Sequence, residues 1–306
     1  MAVGLSGAIL PFSTLRGIAM PTIDLPQGTI RYEDVGGGPP VVFVHGLLVN
    51  GLLWRKVIPD LSRSARCIAP DWPLGSHEIP MKPDADLSVE GVAKLVADFL
   101  EALDLRDVTL VGNDSGGAIC QLVAARHNER VGRLVLTTCD AYEVFPPLLF
   151  SYLTWLPKIP GLTAFLAKSM LHVPALRQLP IAYGLLAKTR IPDDISTKYV
   201  RPCATNADIR RDVEKFSRTA SRNVTLEVAK ELKNFQRPAL ILWTPEDRFF
   251  PMSLAERLSK DLPNARLERI ADAHVFVAED QPERVAREIR EFIREGATQI
   301  AQPSMN

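Results

Sequence analysis

The segment of the chain best suited to chemistry is Val108-Thr-Leu-Val-Gly-Asn-Asp-Ser-Gly-Gly117. A β-branched run passes directly into a helix-forming run (115–127) through a turn in which glycines flank Asp114 and Ser115. Such a turn is strained. It lifts a reactive side chain above the C-terminal edge of a sheet and beside the free amides of a helix N-terminus. A carboxylate there is expected to stay ionised and to displace a leaving group from a saturated carbon, giving an alkyl ester of the chain itself. Two more reactive groups lie just past strand-like runs: Asp247 after residues 239–243 and His274 after residues 266–270. Each has a plain reading by itself, Asp247 as a turn former and His274 as a loop residue.

These groups need a scaffold to bring them together. The first half alternates strand-like runs (29–34, 41–44, 66–69, 108–111, 131–136) with helix patterns. The run 41–44 is continuously apolar, as in a strand covered on both faces. Ser88 is placed to cap a helix whose Val92, Leu95, Val96, Phe99 and Leu103 share one face. Residues 145–225 break the alternation with Pro-punctuated helical segments and no clear strand, too long for a simple connection. The alternation then resumes, with Ser253 to Glu256 reading as a capping box and a last helix from about Pro282. The expected fold class is α/β, with a mostly parallel central sheet, helices on both faces and an inserted helical layer. Residues 23–144 and 226–299 would form the core, 145–225 a helical cap insertion, and 1–22 an N-terminal extension.

Composition narrows the partners. The 306 residues carry 36 Lys plus Arg and 36 Asp plus Glu, a net charge of zero. That overall balance makes no electrostatic case for nucleic acid or an anionic membrane. The apolar stretch from Leu148 to Leu171 is interrupted by Pro157, Lys158 and Pro160, so no membrane span is expected. Cys67, Cys120, Cys139 and Cys203 show no metal spacing and read as buried thiols in a reducing compartment, which suggests a cytoplasmic protein. With no dinucleotide fingerprint, P-loop or metal cluster, no cofactor is expected.

The turn around Asp114 strongly resembles the nucleophile elbow of the α/β-hydrolase superfamily, in which glycines stand two residues either side of the nucleophile. Gly112 and Gly116 put Asp114 at that position. Ser115 would require a small residue at 113, where Asn113 stands. The resemblance runs from about Thr29 to Arg294 and implies the α/β-hydrolase fold and the chain order nucleophile, acid, His. It makes Asp114 the nucleophile, His274 the base that activates water, and Asp247 the acid that orients it. It also implies an oxyanion hole from the amides of Ser115 and Leu47, the latter in the loop His45-Gly46-Leu47. Asp140, after the strand 131–136, is the alternative acid, as in some dehalogenases. Glu246 and His77 read as solvated or surface groups, His127 as a helix-end cation, and His172 as a residue of the insertion.

Asp nucleophiles belong to epoxide hydrolases, haloalkane dehalogenases and fluoroacetate dehalogenases, and the chain departs from each. Haloalkane dehalogenases resembling it have Trp after the nucleophile and often Asn after His-Gly, where Ser115 and Leu47 stand. Fluoroacetate dehalogenases have Arg at 115, and epoxide hydrolases have Pro at the position of Leu48. Tyr152, Tyr183 and Tyr199 lie in the insertion as candidate proton donors to an epoxide oxygen, and Trp155 is a candidate halide partner. On these donors epoxide hydrolysis leads, with haloalkane dehalogenation as the alternative. A carboxylic-ester hydrolase using Ser115 and a non-catalytic binding protein follow. The expected substrates are water and a small apolar organic molecule, and the insertion offers a surface for a homodimer.

Overall fold

A computed structural model describes residues 20–301, with side chains described for residues 20–295. Most of the expected N-terminal extension, residues 1–19, lies outside the described residues. Its last residue does not belong to an extension, because Thr22–Leu25 is already a strand, β1. The strand is short, polar and half exposed, so it lacks the apolar pattern that marks the others. The remaining strands are β2 (Gly28–Val35), β3 (Pro40–Val44), β4 (Arg66–Pro70), β5 (Val108–Asp114), β6 (Val131–Cys139), β7 (Ala239–Trp243) and β8 (Ala265–Arg269).

They form one sheet in the order β1-β2-β4-β3-β5-β6-β7-β8. The pairs β1–β2 and β2–β4 are antiparallel and all others parallel. Most of β3, β5, β6 and β7 is fully buried, which explains why these strands are apolar without alternation. After β3 the chain crosses to one side, to β4. After β5 it crosses to the other, to β6. The loops leaving β3 and β5 therefore diverge and open a crevice at their C-terminal ends, the usual ligand position in an open α/β sheet.

Helices cover both faces. Ser88 caps Val89–Ala102, its side chain accepting from Gly91 N, and Val92, Leu95, Val96 and Phe99 are buried. Helix Ser115–Arg126 is buried along nearly its whole length, packed against β5 and β6 on one side and other helices on the other. The capping box expected at Ser253 does not form. Pro251 sits at the N-cap, the helix begins at Met252, and Ser253 is already inside it.

Between β6 and β7 the described residues contain helices and no strand, notably Leu162–His172, Asp193–Thr205 and Ala207–Thr219. The last helix before β7, Arg222–Glu231, crosses residue 225 and packs on Ser115–Arg126, so it supports the sheet layer. Among the described residues no helix is long and apolar enough to cross a membrane. All four cysteines are free and buried.

Candidate active site

Asp114 ends β5 with φ 53° and ψ −133°, and Ser115 is the first residue of the following helix. A non-glycine residue held there stores about 1–3 kcal/mol of strain, sustained by its surroundings. Those surroundings are visible at three glycines. A Cβ on Gly116 would lie 2.2 Å from the Val44 carbonyl oxygen, and one on Gly112 2.7 Å from the Gly116 carbonyl oxygen. One on Gly46 would lie 2.2 Å from Asp114 Oδ2. The β3 and β5 loops thus interlock at backbone distance, with the Asp114 carboxylate lying on Gly46.

His45 holds the β3 loop. Its Nε2 accepts from Trp72 N (2.9 Å), which leaves Nδ1 to donate to the Gly46 carbonyl (2.9 Å). Burial lowers its pKa to about 4, so the ring stays neutral and keeps that tautomer. Leu48 follows with φ 57° and donates its N–H to the Leu74 carbonyl.

The Asp114 carboxyl does not have the low pKa expected at a helix N-terminus. Burial pushes it up, to about 7; the Ser115 amide opposes the rise and the nearby Asp247 charge adds to it. Full burial outweighs one helix terminus, because desolvation acts on the whole charge. Asp140 is also fully buried, and neither of its carboxyl oxygens has a hydrogen-bond partner. Burial, then the Asp114 charge, raises its pKa well above the usual carboxylate range, with the Ser115 hydroxyl acting in the opposite sense. Burial and the Asp114 charge thus both favour the protonated form of Asp140.

Asp247 lies past β7 and uses Oδ1 to accept from Phe249 N (2.8 Å) and Phe250 N (2.7 Å). Its Oδ2 is buried without a partner, as is Nδ1 of His274. Burial raises the Asp247 pKa, opposed by those two amides and by His274. Asp247 thus feels His274 electrostatically, whereas the charges acting on Asp140 do not include His274. The His274 loop is fastened by its own amide, which donates to Asp280 Oδ2 (3.1 Å).

Asn113 is a residue whose part the sequence did not disclose. Buried one position before Asp114, its Nδ2 donates to Thr137 Oγ1 (3.0 Å), the Thr138 carbonyl (3.2 Å) and the Val275 carbonyl (2.7 Å). It ties β5 and β6 to the residue after His274. The one signal was an amide at the end of an apolar strand, a position that burial allows only with partners.

Above the β3 loop lies an apolar cavity of about 250 Å³, bordered by Leu47, Leu48, Tyr152, Leu166, Met170 and Tyr183 among others; Asp114 and His274 are not among its lining. Two of the candidate donors line it but are engaged. Tyr183 Oη donates to the Leu48 carbonyl (2.7 Å) and Tyr152 Oη to the Ile181 carbonyl (2.6 Å). Tyr199 is fully buried outside the lining. Trp155 is also outside it and is 44% exposed. His77 is not a surface group: it is buried, with Nε2 3.3 Å from Asp212 Oδ2, joining the loop after β4 to helix Ala207–Thr219. Glu246 is a solvated partner of Lys188. His127 ends its helix, and His172 is exposed.

A parallel-centred sheet, a strained strand-to-helix turn at the β3/β5 crevice, and an acid and an imidazole at later strand ends define an α/β hydrolase. The chain belongs to that family: the alpha/beta hydrolase fold matches residues 39–282. It is 29% identical over 276 residues to the uncharacterized hydrolase YugF of Bacillus subtilis, covering 89% of this chain and 96% of that one. It is 26% identical over 285 residues to haloalkane dehalogenase 2 of Mycobacterium tuberculosis, covering 88% and 92%. Among solved structures, wild-type DBJA superposes with a TM-score of 0.74 at 19% identity, covering 93% of this chain and all of that one.

Proposed function

We propose that the protein hydrolyses a carbon–heteroatom bond at a saturated carbon of a small apolar molecule, with Asp114 as nucleophile. The observation that carries this is the elbow: the strained residue is Asp114, while Ser115 is already helical. Ionised Asp114 forms a bond to carbon and the leaving group departs with its electron pair. His274 then takes a proton from water, whose oxygen attacks the carboxyl carbon of the Asp114 ester. The Leu47 and Ser115 amides receive the oxyanion. The intermediate collapses to the alcohol and free Asp114, and the remaining proton leaves through His274 to solvent. Asp247, whose unpartnered Oδ2 matches the unpartnered Nδ1 of His274, orients the ring and balances the imidazolium. Asp140 keeps its proton and stays out of the exchange.

The leaving group follows from where the phenol protons go. An alkoxide from an epoxide needs a proton, and the hydroxyls of Tyr152 and Tyr183 already donate to backbone carbonyls. A halide needs none. The arrangement therefore supports a haloalkane first, in keeping with the dehalogenase relative, although Ser115 stands where an indole donor would. Epoxide opening is the second reading, favoured by the position of Tyr183 in the cavity wall.

The test is intact mass and peptide mapping of His274→Ala protein incubated with haloalkanes, epoxides and activated esters. Removing the base leaves attack intact and stalls hydrolysis. An adduct on Asp114 lacking the hydrogen halide supports dehalogenation, and one of full epoxide mass supports ring opening. An acyl group on Ser115, or no adduct with compounds the wild type turns over, refutes the mechanism.

A further inference from the structure

The helical insertion carries an uneven surface. Nine large apolar side chains are exposed among the described residues, and all but Met20 lie between Leu148 and Ile181. The most open are Leu148 at 89% and Phe165 at 64%. Helix Leu162–His172 shows how this arises. Thr163, Leu166 and Met170, spaced at three and four residues, line the cavity. Phe165, Lys168 and His172, with the same spacing, are exposed on the opposite face. The helix is apolar on its inner face and keeps a large aromatic on its outer one, which an ordinary solvated face does not require.

Charge in the same segment is one-sided. Residues 144–192 contain no Asp or Glu, although an even spread of the chain's 36 acids would place about six there. They contain five Lys and Arg. Arg177 is buried against Thr197, Lys188 pairs with Glu246 and Asp272, and Arg190 pairs with Asp193. Lys158 and Lys168 are exposed and have no acidic partner among the described residues. The neutrality of the whole chain conceals this local excess.

We propose that the exposed apolar and basic side chains of this segment seat the protein on an anionic lipid surface. Leu148, Trp155, Ile159 and Phe165 enter the boundary between headgroups and acyl chains, and Lys158 and Lys168 meet the anionic headgroups. The charges also separate this occupant from a second copy. A two-fold dimer would use the same patch on both subunits and bring these lysines together with no acid in the segment to pair them.

The experiment is sedimentation of the full chain with phosphatidylcholine vesicles, with and without phosphatidylserine, at low and high salt. Expected is binding that requires phosphatidylserine and weakens with salt. Lys158→Gln and Lys168→Gln should each weaken it roughly 5-fold, and the pair roughly 25-fold. Phe165→Ser should weaken it roughly tenfold. Trp155 provides an internal reporter, because Trp54, Trp72 and Trp243 are fully buried. Its emission should shift to the blue on vesicle binding, and Trp155→Phe should abolish the shift while the protein still sediments. Equal binding to both vesicles, binding to neither at low salt, or a dimer that Phe165→Ser dissociates would each overturn the proposal.

Discussion

Replacing Asp114 by Asn should stabilise the fold, by an amount that depends on pH. In the unfolded chain this carboxyl titrates near its ordinary 3.8, and in the folded protein burial moves it to about 7. At about 1.4 kcal/mol per tenfold change in the proton equilibrium, the difference corresponds to about 4 kcal/mol. The sign is fixed by proton uptake. Between pH 4 and 7 the folded state holds a proton that the unfolded state has released, so stability falls as pH rises through this window. The penalty is absent below about pH 4 and complete above about pH 7. The carboxamide of Asp114→Asn would keep the shape and an acceptor for the Ser115 amide without the buried charge. Removing the Asp114 charge takes away one cause that raises the Asp140 pKa, while burial, the larger cause, still holds it up. Differential scanning calorimetry should therefore find the variant melting roughly 5–10 °C above wild type at pH 8. The gap should narrow to less than half of that as the pH falls to 5 and close near pH 4, and comparing the two proteins cancels the titrating groups that do not interact with Asp114. A gap that is the same at both pH values, or a variant less stable at pH 8, would refute the assignment of a desolvated carboxylate at the elbow.

Other perturbations probe the frame around that carboxylate. Gly46→Ala puts a methyl 2.2 Å from Asp114 Oδ2; adduct formation measured by mass spectrometry should slow by about 100-fold, the cost of roughly 1 Å of misplacement. His45→Gln should cost about 1–3 kcal/mol in denaturant unfolding at pH 8 by disturbing the bonds to Trp72 N and the Gly46 carbonyl. Because burial lowers the His45 pKa from 6.5 to about 4, wild type should lose stability to this group as pH falls from 6.5 to 4, and the variant should not. Tyr183→Phe leaves the Leu48 carbonyl without its donor. It should reduce haloalkane turnover less than tenfold, whereas a loss above 100-fold confined to epoxides would make Tyr183 the proton donor.

Much of this is legible in the sequence, for specific reasons. Strand β7 can be read to the residue because a strand buried on both faces is a continuous apolar run with polar breaks, and β3 to within one. Strand β1 cannot, since an edge strand with exposed polar side chains carries no such pattern. Asp114, Asp247 and His274 can be placed because a parallel sheet delivers successive strand ends to one edge. The acidity of Asp114 cannot, because it depends on how completely distant segments exclude water. The work of Asn113 needs the Val275 carbonyl, 162 residues away. The insertion is the least legible part: helices with apolar residues all round do not reveal which side faces solvent.

The contact between Gly46 and Asp114 also sets a rule for changing the residue at the elbow. The two positions share one small volume, so the size allowed at 46 is fixed by the side chain at 114. A serine at 114 lacks the outer oxygens that rest on Gly46 and would leave a gap there, while alanine at 46 would fill the gap and exclude a carboxylate. Libraries that vary these positions one at a time sample only crowded or hollow combinations; paired variation keeps the shared volume filled whichever side chain stands at the elbow.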